Sequence, residues 1–88
     1  MKKVKTISSE GQRALIAAIK AARKDAGLSQ QELADRLGLH QSFIARTESG
    51  SRRIDLRELV VYCRAMNADP LGILRTVIDA TREDEFIG

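Results

Sequence analysis

Eighty-eight residues, 43% hydrophobic and 31% charged, make a single small globular domain; a chain this short buries only roughly 60% of the surface its unfolded form exposes, so its core is small. One cysteine, Cys63, and one histidine, His40, leave no internal disulfide and no cysteine–histidine cluster for a metal, and Cys63 reads as a buried structural thiol. The net charge of +3 is unevenly spread, +6 over residues 1–24, −2 over 25–40, +2 over 41–57 and −3 over 58–88, which suits either one polyanion-facing side or an ordinary mixed surface.

Only Phe43, Tyr62 and Phe86 are aromatic and β-branched alternation is scarce, so the expected fold class is all-α. Residues 1–8, with Lys2, Lys3 and Lys5, read as a flexible basic arm or simply as a solvated N-terminus. The first helix is predicted to start at Ser9, which stands at capping-box spacing from Gln12. Leu15, Ile19, Ala22 and Ala26 recur at helical spacing as its buried face, and Gly27 is placed to end it. The second helix has the stronger start. Ser29 and Glu32 form S-x-x-E before the apolar Leu33, Ala34 and Leu37, a reciprocal cap whose loss costs about 1 kcal/mol. Gly38 then stops the helix and turns the chain in a left-handed conformation that a Cβ would strain.

The third helix is predicted over residues 41–48, closed by Gly50. Its apolar face is thin: Ile44, with Leu39 just before it and Phe43 beside it. Helices under about 12 residues are marginal alone, so this one must be held by its neighbours. Residues 49–54, SGSRRI, form a loop with two adjacent arginines. The fourth helix opens at Asp55 with Glu58 as its capping partner, and Leu56, Leu59, Val60, Cys63 and Met66 define its buried face. Asn67 and Ala68 break the pattern. Asp69 and Pro70 open the fifth helix as cap and first-turn proline, with Leu71, Leu74, Val77 and Ile78 along its apolar face. The folded unit is predicted over residues 9–80, followed by an acidic tail, 81–88, that carries the apolar Phe86 and Ile87.

These elements together resemble the Cro and lambda-repressor class of helix-turn-helix proteins, the XRE family, from about residue 15 to residue 74. GLSQQELA opens the second helix. Ala34 and Gly38 match the small residue and turn glycine of the motif, and Ile44 matches the apolar anchor of its second helix. ESG at 48–50 and DLRELVVYCRAMNADP complete the match. The resemblance implies a compact five-helix lambda-repressor-like domain with the motif at helices two and three. Two positions depart from the family: Thr47 replaces an aliphatic residue, which predicts looser packing of the third helix, and His40 replaces a Ser or Thr cap.

By the same resemblance the third helix enters the major groove with its N-terminal residues on base edges. Carried onto this chain, the base-contacting residues are Gln41, Ser42 and Arg46. Arginine suits guanine O6 and N7, and glutamine suits adenine N6 and N7; bridging to a phosphate is the alternative for Arg46. Phe43 either packs on the second helix or meets a thymine methyl or the sugar-phosphate wall. Gln30, Ser51, Arg52 and Arg53 are the implied phosphate contacts. Arg23 and Glu48 are the implied structural ion pair between the first helix and the end of the third.

The expected function is a sequence-specific transcriptional regulator, acting as a repressor and as a homodimer on a palindromic operator. Ile73, Ile78, Phe86 and Ile87 are its candidate dimer surface, completion of the core being the alternative. An antitoxin-like or adaptor protein with a protein partner at the C-terminal region is the competing reading, since the fold serves both. No nucleophile–base pair, glycine-rich phosphate loop or metal-spaced cluster suggests an enzyme, and no cofactor is implied. No apolar run approaches the roughly 20 residues of a membrane span and the N-terminus lacks an apolar leader, so the expected location is cytoplasmic.

Overall fold

A computed structural model describes residues 9–87 and contains five helices: α1 (Glu10–Asp25), α2 (Gln30–Leu37), α3 (Gln41–Ser49), α4 (Leu56–Met66) and α5 (Pro70–Ala80), with no strand among the described residues. The basic arm with Lys2, Lys3 and Lys5 lies outside the described residues. None of the described helices is long and apolar enough to cross a membrane.

The helix starts follow local chemistry. The Ser9 hydroxyl accepts from the Gln12 amide at 3.1 Å. At α2, Ser29 accepts from the Glu32 amide at 3.0 Å while the Glu32 carboxylate accepts from the Ser29 amide at 2.9 Å. Asp55 and Glu58 form the same reciprocal box at α4, and the Asp69 carboxylate caps α5 through the Leu71 amide at 3.0 Å. α3 alone starts without a side-chain cap: His40 takes the capping position and makes no such bond. Gly38 sits at φ +68 and Gly50 at φ +83, both in the left-handed region where a Cβ brings strain. Those two turns set the exit of α2 and of α3.

The core is built from Ile19, Leu28, Leu33, Ala34, Ile44, Leu59, Tyr62, Cys63, Met66 and Ile73, with Leu15, Ala22, Leu37 and Phe43 packed around it. α1 lies along α5, α2 packs on α3, and α4 sits beneath the motif. The Arg36 guanidinium also ties α2 to the end of α4 by donating to the Ala65 carbonyl at 2.9 Å.

Four expectations are corrected here. Ile73 is not part of a free surface: it is 7% exposed, because α5 turns it inward onto the core. Of the apolar face expected on α5, Leu71, Leu74 and Ile78 point outward, at 70%, 41% and 61% exposure, as a partner-facing surface requires of Ile78. Leu56 and Ala26 are likewise exposed, and Tyr62 takes the buried place on α4. Thr47 is not loosely packed. It is buried, donates to the Phe43 carbonyl at 3.0 Å and accepts from the Tyr62 hydroxyl at 3.3 Å. The hydroxyl absent from an aliphatic residue is therefore satisfied, and it couples α3 to α4.

The closeness of α1 and α5 rests on a small residue. A Cβ at Gly11, which is buried, would stand 2.2 Å from the Thr81 hydroxyl oxygen and 3.3 Å from Thr81 Cβ. That oxygen is itself held on the Val77 carbonyl at 2.6 Å.

Candidate nucleic-acid interface

The exposed side of α3 carries Ser42, Arg46 and Ser49, with Gln41 and Ala45 half-buried along one edge. Residues 42, 46 and 49 fall on one face at helical spacing, opposite the buried Ile44 and Thr47. The thin apolar face of α3 thus faces the core, and its polar face is left to solvent.

A line of hydrogen bonds holds the edge of that face. Arg23 in α1 meets Glu48 in α3 through Nε–Oε2 at 2.6 Å and Nη2–Oε1 at 2.9 Å. Its remaining nitrogen donates to the Leu28 carbonyl at 2.7 Å. Glu48 Oε1 also accepts from Gln30 Nε2 at 3.1 Å, and Gln30 Oε1 accepts from Gln41 Nε2 at 2.6 Å. The side chains of Arg23 and Glu48 are only 8% and 3% exposed. Burial acts to raise the Glu48 carboxyl, but hydrogen bonds from Arg23 and Gln30 together with the Arg23 charge hold it below its ordinary value. The same bond to Glu48 raises Arg23. Both groups are therefore charged at neutral pH.

The relay fixes which atoms Gln41 shows. One amide hydrogen is spent on Gln30, which leaves the Gln41 carbonyl oxygen and its second N–H. Arg46 lies along its own helix, with Nε 3.4 Å from the Ser42 carbonyl, a contact too long to restrain it.

The two loop arginines part company. Arg52, expected at a phosphate, turns inward: its guanidinium lies 3.9 Å from the centre of the Phe43 ring and donates to Glu58 Oε2 at 2.5 Å. Cation–π attraction and a charged hydrogen bond hold it between α3 and α4. Phe43 thus packs on the fold, under Arg52, instead of facing outward. Arg53 is exposed. Ser51 is exposed as well, but its hydroxyl is engaged with Ser49 at 3.1 Å and with the Arg46 carbonyl at 3.3 Å. Sequence reasoning missed Phe43 and Glu58 as the seats of Arg52. Glu58 gives no warning of this second duty, because its capping role already accounts for it.

Of the remaining expected residues, Ile78, Phe86 and Ile87 are exposed and Ile73 is not. The tail folds back locally, Arg82 pairing with Asp84 at 3.0 Å.

The helix-turn-helix family model matches residues 19–73, well over half of the chain. No curated protein matches. Among solved structures, an XRE-family like protein from Pseudomonas syringae pv. tomato is similar at 40% identity and a TM-score of 0.72, over 80% of this chain and 85% of that one. The clp gene regulator ClgR from Corynebacterium glutamicum is similar at 25% identity and a TM-score of 0.68, over 76% of this chain and 71% of that one. A wild-type restriction-modification controller protein shares the fold at 20% identity and a TM-score of 0.67, over 77% and 87% of the two chains. With its capped α2, glycine turn and outward polar face on α3, the chain belongs to the XRE family of DNA-binding helix-turn-helix regulators.

Proposed function

We propose that the protein is a sequence-specific transcriptional regulator that binds duplex DNA as a homodimer, with α3 of each protomer in the major groove of a palindromic operator. The observation that carries this reading is the relay from Arg23 through Glu48 and Gln30 to Gln41. It spans three helices and ends on a side chain at the rim of the outward face. The acceptor and donor left on Gln41 are the pair that adenine N6 and N7 require, while Arg46 has the fork that guanine O6 and N7 require. Ser42 stands between them. Gln30, Ser51 and Arg53 serve as phosphate contacts, and Arg52 serves by holding Phe43 and the loop in place. The regulatory role is supported by the similarity to a gene regulator at 25% identity.

A single α3 covers roughly four base pairs, and two-fold pairing on half-sites about 34 Å apart supplies the missing affinity and specificity. The surface for that pairing is the outward stripe Leu71, Leu74 and Ile78 of α5, together with the exposed Phe86 and Ile87. Occupying an operator is enough to block transcription, so repression is the role that asks least of a domain this small. Selection of bound sequences from random duplexes tests the proposal. Enrichment of two related half-sites in inverted orientation supports it; recovery of sequences with no shared motif refutes it.

A further inference from the structure

We propose that α1 carries a second backbone-binding site, in which the Lys20 ammonium contacts a DNA phosphate on the α1 flank of α3, away from the Arg53 loop. The inference rests on the DNA-binding reading above and adds a contact which that reading does not contain. From residue 11 to residue 24 the helix holds Arg13, Lys20, Arg23 and Lys24 and no acidic residue. Arg23 is turned inward onto Glu48. The exposed Arg13, Lys20 and Lys24 fall within about 40° of one line along α1 at 100° per residue, with the small Ala17 between the first two. A helix on an ordinary solvated surface mixes both signs; between its exposed acidic ends, Glu10 and Asp25, this one presents a single sign along a stripe.

The stripe is placed beside the reading face. Arg13, Ile16, Ala17 and Lys20 form one wall of a groove whose other wall is Glu48, Ser49 and Gly50, the end of α3. Ser49 lies two turns along from Ser42 on the same side of α3, so the groove opens at the C-terminal end of the face whose N-terminal end carries Gln41. Glu48 supplies the groove's one acidic side chain, and both its oxygens are already bonded to Arg23 and Gln30. Among the described residues Lys20 forms no ion pair, although its charge is near enough to help keep the Glu48 carboxyl low. The groove therefore keeps a positive balance directed outward. Gln30, which bridges Glu48 to Gln41 along that flank, would meet the same strand. Lys20 acts there as a point charge on a flexible stem, suited to a phosphate and indifferent to sequence.

Binding is measured across a range of salt concentrations for the parent, Lys20→Gln and Arg53→Gln. The targets are a selected operator, an unrelated duplex, and operators with one methylphosphonate at each position in turn. Lys20→Gln is expected to weaken both duplexes by the same factor and to lower the salt slope by about 0.9 per protomer. It should also erase the effect of neutralising one phosphate per half-site, a different one from that erased by Arg53→Gln. An unchanged thermal midpoint in Lys20→Gln accompanies these results, because the side chain is exposed. A salt slope and methylphosphonate profile equal to the parent's overturn the α1 site alone, provided Arg53→Gln alters both. A parent that binds no duplex overturns the α1 site and the DNA reading together.

Discussion

Glu48→Ala removes more than one partner. Glu48 receives two hydrogen bonds from Arg23 and one from Gln30, and both charged side chains are more than nine-tenths buried. Breaking a buried pair from one side costs about 3–5 kcal/mol, because the remaining charge is left without a partner. Arg23 keeps its bond to the Leu28 carbonyl, which places the expected loss at the lower end, about 3 kcal/mol. A domain of this size has roughly 4–13 kcal/mol in total, and each kcal/mol moves the midpoint by about 4–8 °C. Thermal unfolding followed by circular dichroism should therefore show a fall of at least about 12 °C. Replacing both partners, in Arg23→Met/Glu48→Leu, should cost less than Glu48→Ala, since no charge is then stranded. The pH dependence has a definite sign. The folded carboxyl of Glu48 lies below its unfolded value, so its contribution is present above about pH 4.3 and is lost as the pH falls through the folded value. Glu48→Gln should flatten part of the acid limb of the stability curve. A Glu48→Ala protein within about 1 kcal/mol of the parent, the worth of an exposed pair, would refute the reasoning.

Three further outcomes follow from the packing. Tyr62→Phe should cost about 0.5–1.5 kcal/mol in urea unfolding and Thr47→Val more, because the latter strands the buried Tyr62 hydroxyl; the double variant should cost less than the two added together. Equal and additive losses would mean that the two hydroxyls are not coupled. Gly11→Ala should destabilise by about 1–3 kcal/mol despite alanine's better helix propensity, since the new methyl meets Thr81; a gain in stability would contradict the close approach of α1 and α5. Leu74→Glu should shift sedimentation from dimer to monomer and leave the helical content intact, because its side chain faces outward on α5. A parent already monomeric both free and on its operator would remove α5 as a dimer surface.

The features legible in the sequence are the short-range ones. Ser29 with Glu32 and Asp55 with Glu58 mark helix starts because donor and acceptor lie three residues apart and need no tertiary knowledge. The glycine turns at 38 and 50 are legible for the same reason. The faces of α5 are not. Leu71, Leu74 and Ile78 alternate with Ile73 and Val77, so both sides are apolar, and only the approach of α1 over Gly11 decides which side is covered. Arg52 and Arg53 are chemically identical neighbours, and they diverge because one finds Phe43 and Glu58 within reach. Thr47 looks like a defect in an apolar pattern until Tyr62, fifteen residues on, supplies its partner. The Arg23–Glu48 pair is visible from the family pattern. Its extension through Gln30 to Gln41 depends on side-chain geometry that spacing does not encode.

Base reading by α3 is tested most directly by measuring parent, Gln41→Ala and Arg46→Ala against the selected operator and every single-base-pair variant of it. The parent should lose about 1–3 kcal/mol at each contacted pair. Each alanine variant should lose its discrimination at one position per half-site while keeping the rest of the profile and the parent's salt slope. If both variants weaken every sequence by the same factor, or if their profiles match the parent's, then Gln41 and Arg46 do not read bases, and the account of α3 is wrong.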